Sequence, residues 1–260
     1  MIVTTAEKPD EAIVAYAQAL AAELGCRFAE RRRETLAGLA RKYPEAADGI
    51  LVAGPQGLRF AAEGAEPLFY HPSMAQIRVK RLLEGEGDAL VDVSGIRTGD
   101  VVVDCTAGLG ADALVLSYAA GPGGRVTAVE ASPILYVVVR EGLRAYRSGL
   151  PELDDAMRRI EMVHGEHLDA LRGLPDRSAD IVYFDPMFAR PVLGSASLRP
   201  LRHYAEGRSL LPEAIAEARR VARRAVVLKD HKTSGEFERH GFRRARTSYS
   251  AVDYGVIGIQ

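Results

Sequence analysis

The sequence predicts an α/β fold built on a doubly wound, mostly parallel sheet, with a small α+β appendage ahead of it. Three observations carry that expectation. From Val101 to Lys229, short apolar β-branched runs alternate with helical stretches, the pattern of a parallel sheet covered on both faces. The first of these runs leads into a glycine loop, DCTAGLG, and then a helix, the order found in a nucleotide-binding βαβ unit. The chain closes on GFRRARTSYSAVDYGVIGI, whose alternation suits a terminal hairpin.

Taken in order, Ile2 to Thr5 reads as a short strand, and Pro9-Asp10 opens a helix to about Leu24. Its positions Ile13, Ala17, Leu20 and Leu24 share one face, and Gly25 stops it. Arg27 to Arg33 (RFAERRR) is a basic cluster before a second helix from about Glu34 to Lys42. Such a run is either a solvated face or an RNA contact. Residues 49–53 (GILVA) and 58–61 (LRFA) flank Gly54-Pro55-Gln56-Gly57, which reads as a hairpin. Residues 1–70 are therefore expected to form the appendage and 71–260 the main domain. Pro72-Ser73 suits a helix start, continued by Met74, Ile77, Arg78 and Leu83, with a second helical turn to Val93 after Gly85 to Gly87. That helix could close over a ligand and bring His71, Met74 and Arg78 near it. The alternative puts Met74 and Ile77 in the core and Arg78, Lys80 and Arg81 in solvent.

Val101 to Val103 is a strand of the buried type, ended by Asp104. In the turn that follows, Gly108 and Gly110 can take backbone angles closed to other residues and let a ligand approach the main chain, and Asp112 to Tyr118 begins a helix. After the glycine-rich turn Ala119 to Arg125, Val126 to Val129 is a second strand. Glu130 lies about twenty residues past Gly110, the offset at which an acidic side chain meets a ribose. A dinucleotide fingerprint wants G-x-G-x-x-G, whereas here the order is D-x-T-A-G-L-G. An acidic strand end would repel a pyrophosphate and suits the ammonium and sulfonium of S-adenosylmethionine. The same charge argument disfavours a dehydrogenase, and a glycine-rich turn serving packing alone is the plain alternative.

Ala131-Ser132-Pro133 starts a helix from Ile134 to about Arg147, and a loop holding Pro151 leads to a third strand, Ile160 to Val163. In His164-Gly165-Glu166-His167, Gly165 permits a tight turn and Glu166 can accept from an adenine amino group. His167 can stack or hydrogen-bond nearby, or simply be solvated. Residues 168–174 make a short helix, and Ser178-Ala179-Asp180 enters a fourth strand, IVYFD, ending in Asp185. Asp185-Pro186-Met187-Phe188 then stands at the same rim of the sheet as Asp104, Glu130 and Glu166. The Asp185 carboxylate and the following backbone carbonyl can accept from an amino group, and Phe188 can stack on a base or be plain core. Ala189 to Leu211 is long for a connection and holds Arg190, Arg199, Arg202, His203 and Arg208, either phosphate contacts or surface arginines. Pro212 to Arg223 is a helix and Ala225 to Lys229 a fifth strand. Lys229, at its carboxyl end, either reaches the cleft or pairs with an acidic neighbour.

DCTAGLGADA, VEASP, the HGE turn and YFDPMF together resemble the class I S-adenosylmethionine-dependent methyltransferases, and within them the small-subunit ribosomal RNA guanine-N2 methyltransferase group and its uncharacterised relatives. The resemblance covers roughly residues 72–230. It implies a Rossmann-like class I fold, a mostly parallel seven-stranded sheet with an antiparallel final strand, and S-adenosylmethionine as cofactor without a metal. Donor contacts are implied at Asp104, Thr106, Gly108, Gly110, Glu130 and Glu166, with Cys105, Ala107, Asp112, Ala131, Ser132, His167 and Asp185 beside them. Asp185, Pro186 and Phe188 would hold the target amine, and the partner would be ribosomal RNA or the small subunit. The chain departs from the group at Cys105, where the group has alanine, and after Phe188, where a lysine-rich run is missing. Met187 replaces the second proline of the broader [DN]-P-P-[FYW] motif.

Composition sets the outer bounds. With 260 residues, 47% hydrophobic and 27% charged, the chain is ordinary and globular in character. A formal net charge of −1 gives no global pull toward nucleic acid, so any RNA contact must be local. Cys26 and Cys105 suggest neither a disulfide framework nor a zinc site. No apolar run approaches membrane length, and MIVTTAEKPDE lacks a basic start and apolar core, so a cytoplasmic protein is expected. Methylation of a protein side chain or small molecule, and a non-catalytic donor-binding factor, stay open beside RNA methylation. So does homo-oligomer formation.

Overall fold

In the computed structural model, residues 1–186, 210–245 and 251–260 are described. They form two compact units, Met1–His71 with Val137–Tyr146, and Pro72–Tyr136 with the described residues from Arg147 onward.

The first unit is a five-stranded sheet with order β2-β1-β3-β4-β5. Strand β1 (Ile2–Thr5) runs into helix α1 (Glu11–Glu23), whose first turn is capped by Asp10, accepting from the Ile13 N–H at 2.8 Å. Strand β2 (Arg27–Phe28), helix α2 (Leu36–Lys42) and the hairpin β3 (Ile50–Gly54) and β4 (Gly57–Ala61) follow, then β5 (Leu68–Phe69). Strand β1 pairs parallel with β2 and β3, and β4 pairs antiparallel with β3 and β5. Strands β2 and β5 are two residues each, too short to leave a periodic signal, so the sheet is wider than the sequence implies. Ile2, Ala29, Leu39, Ala46, Ile50 and Val52 make its core.

The second unit opens with α3 (Ser73–Leu83) and α4 (Ala89–Ser94), the latter capped by Asp88. Strand β6 (Val101–Asp104), α5 (Ala111–Ala120), β7 (Arg125–Glu130), α6 (Pro133–Ala145, whose residues from Val137 belong to the first unit), α7 (Pro151–Arg158), β8 (Ile160–His164), α8 (His167–Arg172) and β9 (Ala179–Phe184) continue the alternation. The chain ends with α9 (Pro212–Val221), β10 (Ala222–His231), α10 (Glu236–Arg239), β11 (Arg243–Ala245) and β12 (Val252–Gly258). Helix α7 corrects the expected loop around Pro151: proline is tolerated in a first helical turn, and Leu153, Ala156 and Met157 form a buried i, i+3, i+4 face.

Among the described residues the second sheet has the order β11-β12-β10-β9-β6-β7-β8. Strands β10, β9, β6, β7 and β8 are mutually parallel, and β12 runs antiparallel to both β10 and β11. This is the Rossmann-like, doubly wound arrangement with an antiparallel strand near its end. The chain winds outward from β6 through β7 and β8, then returns to the other side with β9. Ligands of such sheets bind beyond the carboxyl ends of the strands where the winding reverses, here β6 and β9. Their register sets Asp104 beside Tyr183, two residues before Asp185. Val103, Val182, Phe184, Val226 and Leu228 pack against Ile215 and Ala218 of α9 to fix those ends in place. No helix among the described residues is long and apolar enough to cross a membrane.

Candidate active site

The glycine loop is stitched to three strand ends. Gly108 (φ +52°) and Gly110 (φ +74°) both take left-handed backbone, and Gly110 caps α5. Asp104 is almost fully buried, and its Oδ1 accepts from the Thr106 N–H at 3.0 Å. Glu130 Oε2 accepts from the Gly108 N–H at 2.9 Å, and Oε1 from the Ser132 N–H at 2.8 Å. Thr106 Oγ1 accepts from the Asp185 N–H at 2.6 Å, tying the loop to the end of β9. Four of the residues singled out in the sequence, Asp104, Thr106, Glu130 and Asp185, thus meet around one loop.

Beside them lies a charged cluster. Lys229 of β10 donates to Asp185 Oδ2 at 2.6 Å and to Asp112 Oδ2 at 2.9 Å. Asp112 also accepts from the Tyr183 hydroxyl at 2.8 Å and from Arg78, whose remaining nitrogens grip Asp88 at 2.7 and 2.8 Å. Both Asp112 oxygens are therefore engaged by the protein itself. Arg78 corrects the second reading of α3: it is not solvent-facing but part of a largely buried ion-pair network beside Asp112. Met74 and Ile77 are 59% and 51% exposed, so they are not core. His71 packs edge-on against the Tyr146 ring, with centroids 5.4 Å apart.

The charges respond to this crowding. Burial, reinforced by Asp112, Asp185 and Glu130, pushes the Asp104 carboxyl up to about 8. Burial also raises Asp185, to about 6, against the pull of Lys229. Burial opposes ionisation of Asp112, yet the neighbouring Lys229 and Arg78 hold it well below the usual carboxylate range. Glu130 is raised by burial, with its backbone donors opposing.

The other expected residues scatter. Cys105 is buried, its thiol pushed up by burial, while its N–H bonds the Tyr183 carbonyl, so it serves the core and the loop backbone. Ala107 is buried too, its N–H bonded to the Val129 carbonyl, whereas Ala131 is exposed. Glu166 is exposed at the start of α8. His167 sits edge-on to the Phe184 ring at 5.8 Å, and burial lowers its pKa. Tyr136 and His164 stack with ring centroids 5.2 Å apart, a pair not singled out in the sequence. Pro186 is half-buried; Met187, Phe188 and the arginines at 190, 199, 202 and 208 fall outside the described residues. The basic cluster is largely neutralised: Arg27 pairs with Glu45, Arg32 with Glu30, and buried Arg31 with Glu7 and two backbone carbonyls.

Sequence reasoning missed Tyr183 and the depth of Arg78. Tyr183 lay in plain view as the one hydroxyl in the apolar run IVYF, and a buried hydroxyl needs a partner.

The residues fit a cationic ligand. Asp104 is buried with one hydrogen bond among the described residues and a carboxyl raised by burial and by its acidic neighbours, a group that a positive charge placed against it would stabilise in its ionised form. The sheet order, the left-handed glycine loop and this acidic rim define a class I S-adenosylmethionine-dependent methyltransferase. Residues 58–238 match the family model described as "Putative SAM-dependent methyltransferase". The chain is 39% identical over 256 residues to the uncharacterized protein YpiP of Bacillus subtilis, covering 98% of each. It is 36% identical over 152 residues to ribosomal RNA small subunit methyltransferase J of Shewanella amazonensis, spanning 56% of this chain and 59% of that one. In structure it resembles the SAM-dependent methyltransferase NGO1261 of Neisseria gonorrhoeae, with TM-score 0.57, 20% identity and 98% and 95% coverage. The chain belongs to this family of SAM-dependent methyltransferases; it is an enzyme, and S-adenosylmethionine is its cofactor.

Proposed function

We propose that the enzyme methylates an exocyclic amine of a base in RNA, most specifically guanine N2 of small-subunit ribosomal RNA. The observation that carries this reading is Asp185. It ends a buried strand at the point where the winding reverses, its N–H is held by Thr106, and one carboxylate oxygen is held by Lys229. Oδ1 receives no lysine or arginine donor from the described residues, and the Asp112 carboxyl is the other group within hydrogen-bonding reach of Asp185. The relatives named ribosomal RNA small subunit methyltransferase J, which match over part of their length, support RNA as the substrate class.

In this reading Asp104 meets the donor's ammonium, Glu130 its ribose and Glu166 its adenine. The backbone of Cys105, Thr106, Ala107, Gly108 and Gly110 lines the approach, with Ala131, Ser132 and His167 at its edge. S-adenosylmethionine, when bound, supplies an activated methyl group and a thioether leaving group. The chain's own work is positioning. Asp185 Oδ1 and the Pro186 carbonyl accept hydrogen bonds from the target amine, which aims its lone pair and leaves it free to form the N–CH₃ bond. The displaced N–H proton passes to Asp185 and from there to water. Phe188 would stack on the base, and arginines 190, 199 and 202 would meet phosphates.

Labelled methyl incorporation into small-subunit RNA from a strain lacking the gene tests this. N2-methylguanosine should appear in the digested RNA, and Asp185→Ala should lower the rate about a hundredfold or more. Wild-type enzyme that labels no RNA fraction would overturn the reading.

A further inference from the structure

Lys229 does more than the neighbouring ion pair requires. Asp112 already has Arg78 and the Tyr183 hydroxyl, so a second cation is not needed to keep it ionised. Yet the Lys229 ammonium sits between Asp112 and Asp185, with the shorter contact, 2.6 Å, to Asp185 Oδ2. The Asp185 backbone is fixed independently by Thr106. One carboxylate oxygen and the main chain are thus immobilised, and the second oxygen is left over.

We propose that Lys229 is a positioning residue for methyl transfer: its ammonium clamps Oδ2 of Asp185 and keeps that carboxyl ionised, so that Oδ1 is available to the target amine. This rests on reading Asp185 as the amine's acceptor. The groups acting on Asp185 come from every side. Asp112 on α5 is the negative neighbour, its carboxyl within hydrogen-bonding reach of Asp185; Asp104 on β6 is an acid that adds to that charge when it ionises; Tyr183 on β9 and Tyr254 on β12 are neutral hydroxyls; Arg78 on α3 pairs with Asp112; Lys229 on β10 is the cation in contact. With Lys229 gone, burial and the Asp112 carboxylate act unopposed, and Asp185 takes up a proton at higher pH. A protonated carboxyl can turn an O–H donor toward an amine that needs an acceptor. Lys229 itself keeps its proton throughout, since both carboxylates raise its pKa.

The test compares wild type with Lys229→Met, Lys229→Arg, Asp185→Asn and the double variant Asp185→Asn/Lys229→Met, using small-subunit RNA from the deletion strain as substrate. Lys229→Met should lower kcat roughly ten- to a hundredfold, leave KM for the donor unchanged and move the acidic limb of the kcat profile up by about one pH unit or more. Lys229→Arg should restore most of the rate, and adding Lys229→Met to Asp185→Asn should cost nothing further. A substrate-free readout runs alongside: carboxyl ¹³C titration of Asp185 should show the same upward shift in Lys229→Met. If that variant does not fold, Lys229→Gln gives the titration and the profile in its place. An unshifted carboxyl, or a loss that persists in the Asp185→Asn background, overturns the role of Lys229 alone. Full activity of Asp185→Asn would instead remove the amine-acceptor reading on which it stands.

Discussion

Asp104 carries a pH signature that can be measured on the protein without knowing its substrate. Its carboxyl is pushed up to about 8 by burial among other acids, so near neutral pH the free enzyme holds a proton there. In the proposed role of Asp104, a ligand ammonium placed against it favours the ionised form, and binding would expel that proton. Affinity for S-adenosylhomocysteine should therefore rise about tenfold per pH unit between about pH 6 and 8 and level off above. Calorimetry near pH 7 in buffers of different ionisation heat should show about one proton released. Asp104→Asn should bind more weakly and lose the slope; a flat wild-type profile would refute the assignment. The sign for stability is opposite. Because the folded value lies above the unfolded one, the contribution of Asp104 is present below the ordinary carboxylate range and fades as pH rises through about 8.

At the scale of elements, helix α6 shows a constraint invisible in its own periodicity. A side chain at Gly142 would put its Cβ 2.1 Å from the Tyr70 Cβ, so the helix can approach that residue only with glycine there. Gly142→Ala should destabilise the protein by about 1–3 kcal/mol through overpacking, against the usual helix-favouring effect of alanine, as read by a lower urea midpoint with unchanged slope. The same helix is tied by Arg140 to Glu23, and by Glu141 to the Tyr16 hydroxyl at 2.9 Å. Elements with a strong period were legible: α1, the hairpin β3 and β4, and the runs β6, β7, β8, β9 and β10. Those without one were not. Helix α7 hides its three apolar contacts among charges, and β2 owes its existence to pairing with β1 rather than to its residues.

For the molecule as a whole, Asp112 ties α5 to α3, β9 and β10 through Arg78, Tyr183 and Lys229. Asp112→Ala would leave Arg78 with Asp88 alone, Lys229 with Asp185 alone and the buried Tyr183 hydroxyl without its acceptor, and should cost about 1–3 kcal/mol of unfolding free energy. Denaturant unfolding checks this, and a loss under about 1 kcal/mol would show the network to be solvated rather than structural. In the sequence Asp112 begins a helix and, by resemblance, stands beside the donor contacts; the fold pairs it with charges that lie 34 residues before it and 117 after it.

What the sequence determined by itself was the alternation that dictates a doubly wound sheet, the glycine loop with its acidic strand ends, and so the cofactor and the class of reaction. Each of these is local, set within one strand, turn and helix. Which charges meet was decided only by the tertiary structure. Pairing of Asp185 with Lys229, of Arg78 with Asp112, and of Thr106 with the Asp185 backbone depends on strand order and register, which bring together side chains that no spacing along the chain relates.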